Sequence, residues 1–175
     1  MLPRSSIAAQ EQLKLPGKAP EMTAQFVFED WAALERAVGT EIARSPWITI
    51  TQGMIDEFAE LTGDRQWIHV DPVRAKRESP FGNTVAHGFL TLSLLSQLSA
   101  KSLALPPAKL RINYGFDRVR FISPVLVDSE IQATFSAMDV QHTADGLQVT
   151  WGVEVRARDA AKPALAATWL SRIVL

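Results

Sequence analysis

An aspartate and a histidine five positions apart, with a glycine further along, are the residues of this chain best suited to chemistry. Asp64 and His69 flank a short turn, and Gly88 opens an apolar run. A neutral imidazole with an ordinary pKa near ~6.5 can take a proton from water at neutral pH. A backbone amide at a helix start can stabilise negative charge on a carbonyl oxygen. These groups together predict addition of water to an activated double bond.

Each candidate residue also has a purely structural interpretation. Asp64 could cap its turn, and His69 could pair with a nearby carboxylate. Gly88 could allow close packing against a strand. We expect His87 to hydrogen-bond across its loop and to point away from the groove that Gly88 serves. Ser96 could bind a water or Asp64, although a serine in a buried helix often bonds to its own backbone.

Composition restricts the classes of protein to which the chain can belong. Its 175 residues are 47% apolar and 21% charged with a net charge of −1, which predicts a single globular domain and gives no electrostatic signature for nucleic acid or an anionic membrane. The chain has no cysteine, which excludes disulfides and thiolate catalysis. The first residues are too polar for a signal peptide, and no apolar run reaches the ~20 residues of a membrane span. We therefore expect a cytoplasmic protein.

Capping signals predict several helices in the first half of the chain. Residues 1–24 have no sustained period and are expected to form a flexible tail. Asp30 is a suitable N-cap for a helix over 31–38, and Thr51 for a second helix that Gly63 ends in the left-handed conformation. Asp64 would then begin a turn directly after a helix. Asp71-Pro72 predicts the start of another helix.

The later sequence predicts one buried helix and a run of strands. Residues 86–99 are apolar on most sides, which is typical of a helix buried all round. From residue 109 onward apolar and polar residues alternate, with a hairpin at Asp145-Gly146 and a last strand over 166–174. This order indicates an α+β domain in which a curved antiparallel β-sheet wraps around a long buried helix.

The combination of these motifs resembles a known family. Asp64 and His69 in their turn, the Ala86-His87-Gly88 start of the apolar helix, and the antiparallel strands resemble the MaoC-like hydratases and dehydratases of the hot-dog fold. The phrases around Pro80, Asn113 and Val119 fit the nodulation-protein-N-like branch. The resemblance covers nearly everything but the tail, so residues 25–175 are expected to form one hot-dog domain.

The resemblance implies (R)-specific hydration of trans-2-enoyl-CoA, or the reverse dehydration. By position, Asp64 and His69 match the catalytic pair, Gly88 matches the oxyanion amide, and Ser96 matches a polar residue of the active-site helix. Many relatives have Asn and Pro where this chain has Gln66 and Trp67, which implies a differently shaped pocket. The substrate would be an acyl-CoA, and the protein a homodimer that acts in fatty acid metabolism.

The sequence gives weaker indications of metal ligands and phosphate contacts than of the catalytic pair. His69 and His87 lack the spacing typical of metal ligands, so we predict no metal and no other cofactor. His142, near the hairpin turn, is expected to be exposed. Several basic side chains could contact coenzyme A phosphates or form a solvated face: Arg74, Lys76, Arg77, Arg118 and Arg120.

Two other functions stay open. A thioesterase of the same fold would need a carboxylate on or near the central helix, and residues 85–99 contain none. A non-catalytic acyl-thioester binding subunit would not depend on Asp64 or His69.

Overall fold

The computed structural model describes residues 26–175. The expectation that residues 1–24 form a flexible tail lies outside the described residues. Of the helices in the described part of the chain, none is long and apolar enough to cross a membrane.

A six-stranded sheet forms the body of the described chain. The strands are β1 Phe26–Val27, β2 Glu41–Arg44, β3 Ile48–Thr49, β4 Leu103–Ala104, β5 Leu110–Phe121, β6 Glu130–Thr143, β7 Gly146–Ala157 and β8 Leu165–Val174. The order of the sheet is β2-β6-β7-β8-β5, with β3 paired beside β6. All neighbours in this sheet are antiparallel, and a separate parallel pair joins β1 to β4.

Short helices precede and cover the sheet. They are α1 Trp31–Arg36, α2 Gln52–Thr62, α3 Trp67–Val70, α4 Pro72–Glu78, α5 Gly88–Ser93 and α6 Leu95–Ala100. The predicted caps are confirmed: Asp30, Thr51 and Asp71 accept hydrogen bonds from backbone amides in the first turns of α1, α2 and α4. Gly63 ends α2 with φ 77°, as expected.

The alternation of apolar and polar residues in the second half correctly predicted the sheet. The inward side chains of β6 are completely buried, and those of β7 nearly so: Ile131, Ala133, Phe135, Ala137, Val149, Trp151, Val153 and Val155. Helices α5 and α6 pack on β8 and β6. The α+β class and the antiparallel sheet are therefore confirmed.

The prediction of one helix over 86–99, buried all round, is wrong in two respects. The helix begins at Gly88, and Leu94 divides it into α5 and α6. One face is open: Phe89 is 67% exposed, and Ser93 and Ser96 follow it on the same side. Apolar composition shows that a helix has no polar face, but it does not show how many neighbours cover that helix.

Strand β2 was not predicted. Its four residues form the edge of the sheet beside β6, with Ile42 and Ala43 buried between two charged ends. The Glu41–Arg44 stretch is too short to show a period, and only its pairing with β6 makes it a strand. Helix α1 also stops earlier than expected, at Arg36, before Gly39 turns the chain with φ 88°.

Candidate active site

The turn after α2 brings the side chains of Asp64 and His69 close together. Gly63 reverses the chain, so that Asp64 follows the helix directly and α3 brings His69 back toward it. The carbonyl of His69 accepts a hydrogen bond from the Gln52 side chain at 2.7 Å, which ties the start of α2 to α3. Local chain geometry therefore holds both members of the predicted pair.

His69 has a defined tautomer. Its ring is 8% exposed, and its Nδ1 lies 2.6 Å from the carbonyl oxygen of Val85. A carbonyl oxygen can only accept, so Nδ1 carries the hydrogen in the neutral ring. Nε2 is then unprotonated and can act as a base.

The surroundings keep this imidazole neutral. Burial is the main cause that lowers the pKa of His69 below its usual 6.5, and nearby His87 lowers it further. The hydrogen bond to Val85 and the charge of Asp64 oppose this shift without reversing it. The base form of His69 therefore predominates at neutral pH.

His87 packs directly on His69. The two rings stack with centroids 3.8 Å apart, and Phe58 lies on His87 at 5.1 Å. His87 is 3% exposed, and its Nε2 donates to the backbone carbonyl of Asp64 at 2.9 Å. The expected bond across the loop is thus present. The buried Nδ1 has no hydrogen-bond partner among residues 26–175.

Asp64, His69 and His87 form one cluster. A carboxylate oxygen of Asp64 and one ring nitrogen of each histidine lie within 4.8 Å of one another. Among the described residues no direct hydrogen bond joins the Asp64 carboxylate to His69. Since two hydrogen bonds through one water span about 5 Å, this spacing suits a shared water.

The same three residues could in principle hold a metal ion, which their sequence spacing did not indicate. The ring planes of His69 and His87 differ by only 25°. Nitrogen lone pairs lie in the ring plane, so those of the two stacked rings lie in nearly parallel planes with ring centroids 3.8 Å apart, which disfavours their convergence on one point. The donor set therefore fits a metal poorly, and the absence of a metal cofactor stays a prediction.

Gly88 lies where a side chain would not fit. A Cβ atom at this position would come within 2.9 Å of Cγ of Phe121. As the first residue of α5, Gly88 has an N–H without a carbonyl partner inside the helix. The residue lines a cavity of about 280 Å³ together with Phe81, Thr91 and Phe121. His87 adjoins Gly88, so this amide follows directly after the histidine stack.

Ser96 lies apart from the other candidates. It lines a different cavity, of about 250 Å³, between α6 and the sheet, beside Trp151 and Trp169. At about 1.5 Å per residue it is roughly 12 Å along the helix from Gly88. No described residue links it to the Asp64 cluster. The exposed histidine was predicted correctly: His142 reaches Glu35 at the surface.

Gln52 and Thr84 support the cluster and were not singled out from the sequence. The hydroxyl of Thr84 donates to Oε1 of Gln52 at 2.6 Å, and Nε2 of Gln52 donates to the carbonyl of His69. Gln52 thus joins α2, α3 and the segment before Gly88. A glutamine in the first turn of a helix carries no sequence signal for this role, because its partners are distant along the chain.

The chain is similar to known proteins over most of its length. A family model described as the MaoC like domain matches residues 33–158. The 3-hydroxyacyl-thioester dehydratase Z of Mycobacterium tuberculosis is 45% identical over 148 residues, which are 84% of this chain and 97% of that protein. Nodulation protein N of Rhizobium meliloti is 48% identical over 136 residues, 77% of this chain and 84% of that protein.

Solved structures confirm the hot-dog fold. R-hydratase PhaJ1 from Pseudomonas aeruginosa superposes with a TM-score of 0.67 at 23% identity, covering 83% of this chain and 85% of that one. The (R)-hydratase from A. caviae superposes with a TM-score of 0.64 at 24% identity, covering 77% and 95%.

Proposed function

This chain belongs to the MaoC-like family, and we propose that it adds water reversibly to trans-2-enoyl thioesters, giving (R)-3-hydroxyacyl thioesters. The observation that carries this proposal is the tautomer of His69. Its Nδ1 donates to Val85, which leaves Nε2 as the basic nitrogen of a buried, neutral ring, and one nitrogen of this ring lies within 4.8 Å of a carboxylate oxygen of Asp64. The similarity to a 3-hydroxyacyl-thioester dehydratase supports the same reaction class.

The residues divide the reaction between them. Nε2 of His69 takes a proton from a water that the Asp64 carboxylate orients, and the resulting hydroxide attacks the β-carbon. Negative charge moves to the thioester oxygen, which the Gly88 amide stabilises. The proton that His69 took from the water then passes through Asp64 to the α-carbon, which returns both side chains to their starting protonation states and completes the addition. The same water can supply both groups, which would give syn addition.

His87 and Ser96 act around this centre. His87 holds the carbonyl of Asp64 and stacks on His69, so it positions the pair without contacting the reacting atoms. Ser96 lies near the acyl end of the substrate, because its cavity lies between α6 and the sheet and is mostly apolar beside two indoles. The ~12 Å from Gly88 corresponds to an acyl chain of about ten carbons at roughly 1.2 Å per bond.

The protein acts as a homodimer joined through β5. This 12-residue strand lies at the edge of the sheet and, among the strands of residues 26–175, pairs with β8 alone. Its outward apolar side chains Leu110, Ile112 and Tyr114 are 53%, 39% and 55% exposed. Long apolar edges are rare on monomers because they pair with other chains.

We also propose that the protein is cytoplasmic and that residues 25–175 form a single domain.

The test follows the absorbance of the conjugated enoyl thioester with crotonyl-CoA and with a longer enoyl-CoA. The wild type should remove the band. Asp64→Asn and His69→Gln should each lower kcat/KM by about 100- to 10,000-fold, since general acid–base groups contribute this much. Asp159→Asn and His142→Gln are matched controls, at an exposed turn and an exposed strand, and should leave kcat/KM unchanged.

Other outcomes identify the competing functions. A thioesterase would release free thiol from acyl-CoA, which a thiol reagent detects; the absence of Asp and Glu from α5 and α6 disfavours it. A binding subunit would leave both enoyl thioesters untouched while still binding them. Either result, or unaltered kcat/KM in both active-site variants, would refute the hydratase proposal.

A further inference from the structure

Thr91 differs from the other buried hydroxyl residues of the described chain. It is 3% exposed, and within residues 26–175 its hydroxyl makes no hydrogen bond. The other buried hydroxyl residues each have a hydrogen-bond partner in the same chain: Ser45, Thr84, Ser102 and Ser171. Because a buried hydroxyl without a partner is costly, the hydroxyl of Thr91 indicates a partner from outside residues 26–175.

The hydroxyl of Thr91 is not used by its own helix. A threonine inside a helix commonly donates to the carbonyl four residues earlier, which here belongs to His87. That carbonyl accepts from the backbone N–H of Thr91 at 3.2 Å, and among the described residues it accepts nothing from the hydroxyl. Thr91 also lines the cavity of about 280 Å³ that contains Gly88. The unbonded hydroxyl therefore belongs to the wall of the candidate active site.

Thr91 and Gly88 lie on the same side of α5, because both line this cavity. Residues three apart lie about 5–6 Å from each other on one face of a helix. Helical side chains lean toward the N-terminal end, so the side chain of Thr91 leans back toward the turn that Gly88 begins. An oxygen atom about 3 Å from each of two donors at this spacing lies between them. The geometry therefore suits one acceptor that receives two hydrogen bonds.

The rest of the cavity wall limits the kind of oxygen that fits. Of the described residues that line the cavity none is charged, and most are apolar: Phe81, Ala86, Phe121, Ile122, Pro124, Val125 and Ala164. Ser123 also lines it, but this residue is only half-buried, so solvent can reach it. Neutral donors in an apolar wall suit an oxygen that is neutral when the substrate binds and gains charge during the reaction.

We propose that the hydroxyl of Thr91 is a second hydrogen-bond donor to the thioester oxygen, beside the amide of Gly88. When hydroxide attacks the β-carbon, the electron pair of the C=C bond moves toward the carbonyl, and the thioester oxygen becomes an enolate oxygen. Thr91 donates to this oxygen and keeps its own proton. The C=O bond forms again when the α-carbon takes its proton. This inference rests on the proposed hydratase function, which supplies the thioester at Gly88.

The experiment measures kcat and KM for the hydration of crotonyl-CoA by the wild type, Thr91→Val and Thr91→Ser. Valine replaces the hydroxyl with a methyl group of similar size, and serine keeps the hydroxyl. Because the oxygen gains its charge only in the transition state, Thr91→Val should lower kcat with little change in KM. We expect a loss of roughly 10- to 100-fold, less than for a sole oxyanion donor. Thr91→Ser should keep a kcat close to that of the wild type.

Two controls separate catalysis from folding. Thr150→Val makes the same change at a half-buried threonine of β7 whose hydroxyl has no hydrogen bond in the described part of the chain, and it should leave kcat unchanged. Thermal unfolding is measured without substrate. Because the hydroxyl of Thr91 has no partner there, Thr91→Val should unfold at the wild-type temperature or above it. A lower unfolding temperature would show that the hydroxyl has a structural partner and would overturn the inference.

Two kinetic results would overturn the inference while the hydratase function stands: a wild-type kcat in Thr91→Val, or an equal loss of kcat in Thr91→Ser. If the wild type does not hydrate crotonyl-CoA, the proposed function fails, and acetoacetyl-CoA then decides the role of Thr91. This thioester has no double bond to hydrate, and its enolate absorbs in the near ultraviolet. A stronger enolate band with the wild type than with Thr91→Val supports the second donor. Equal bands, or no band with the wild type, refute it.

Discussion

The cluster of Asp64, His69 and His87 and the edge strand β5 differ in how many of their interactions come from within one chain. His69 and His87 are buried, stack on each other, and bond to the carbonyls of Val85 and Asp64. Among residues 26–175, strand β5 pairs on one side only and exposes apolar side chains together with three arginines that lack acid partners, Arg111, Arg118 and Arg120.

The difference follows from the energetics of burial. Burying a polar ring is costly unless its hydrogen bonds are supplied, and this chain supplies one to each imidazole, while Nδ1 of His87 has no partner among residues 26–175. An exposed strand edge has no such requirement and can be completed by another molecule. The geometry of the cluster should therefore depend on substitutions within the chain. The state of β5 should depend on whether a second molecule pairs with it.

Among the variants that compare these two regions, the largest expected effect is at Gly88, which follows the histidine cluster directly in the chain. Gly88→Ala puts a methyl group 2.9 Å from Cγ of Phe121, which must displace the ring or the start of α5. We expect kcat/KM for crotonyl-CoA to fall about 100- to 1,000-fold, the usual effect of losing an oxyanion donor. Gly53→Ala is the matched control, since its methyl group would meet only Thr51 at 3.8 Å.

A second variant separates the two causes of that loss. If the clash with the ring displaces the amide, Gly88→Ala/Phe121→Ala should recover part of kcat/KM. Wild-type kcat/KM in Gly88→Ala would contradict the role of this amide.

A charge on the edge tests the β5 side of the comparison. Leu110→Lys/Ile112→Lys places charges on the free edge, which disfavours strand pairing between chains. Light scattering coupled to gel filtration should give twice 19.3 kDa for the wild type and 19.3 kDa for the variant. Leu61→Lys/Val73→Lys changes apolar residues that are 83% and 78% exposed on α2 and α4, and should leave the mass unchanged. A wild-type monomer would refute the dimer.

Loss of Gln52 should have a moderate effect. Gln52→Ala removes the bonds to the carbonyl of His69 and to Thr84, so α3 loses a support but no reacting group. We expect kcat/KM to fall about 10-fold and the free energy of unfolding to fall by about 1–3 kcal/mol, as for a broken hydrogen-bond network that is partly buried. Gln148→Ala on β7 is the control, because its side chain has no hydrogen bond within the described residues. Equal kcat/KM for the two variants would exclude a positioning role.

The smallest expected effect is in the pH dependence. Because burial lowers the pKa of His69, the acid limb of kcat/KM should have its midpoint below 6.5. The unfolded chain binds this proton near pH ~6.5, so the stability from neutral His69 is complete above that pH and decreases as the pH falls toward the folded pKa. Titration of the His69 ring protons by NMR measures the pKa on which both expectations depend. A midpoint above 6.5 would contradict the burial argument.

The sequence was most informative where local rules apply. The caps at Asp30, Thr51 and Asp71, the left-handed Gly63 and the alternation along β6 and β7 all depend on neighbouring residues, and all are confirmed. The spacing of Asp64 and His69 was readable because one turn joins them. Strand β2 and the open face of α5 were missed because pairing and coverage depend on distant parts of the chain.

By itself the sequence determined the α+β class, the absence of cysteine chemistry, and the residue types able to activate water. Tertiary structure alone decided which nitrogen of His69 is the base, because the carbonyl of Val85 that selects it lies sixteen residues away. It also decided the stack on His87 and which arginines keep no acid partner in the described chain. Tautomers, stacking and ion pairing depend on distances of a few ångströms between groups that only the packed chain brings together.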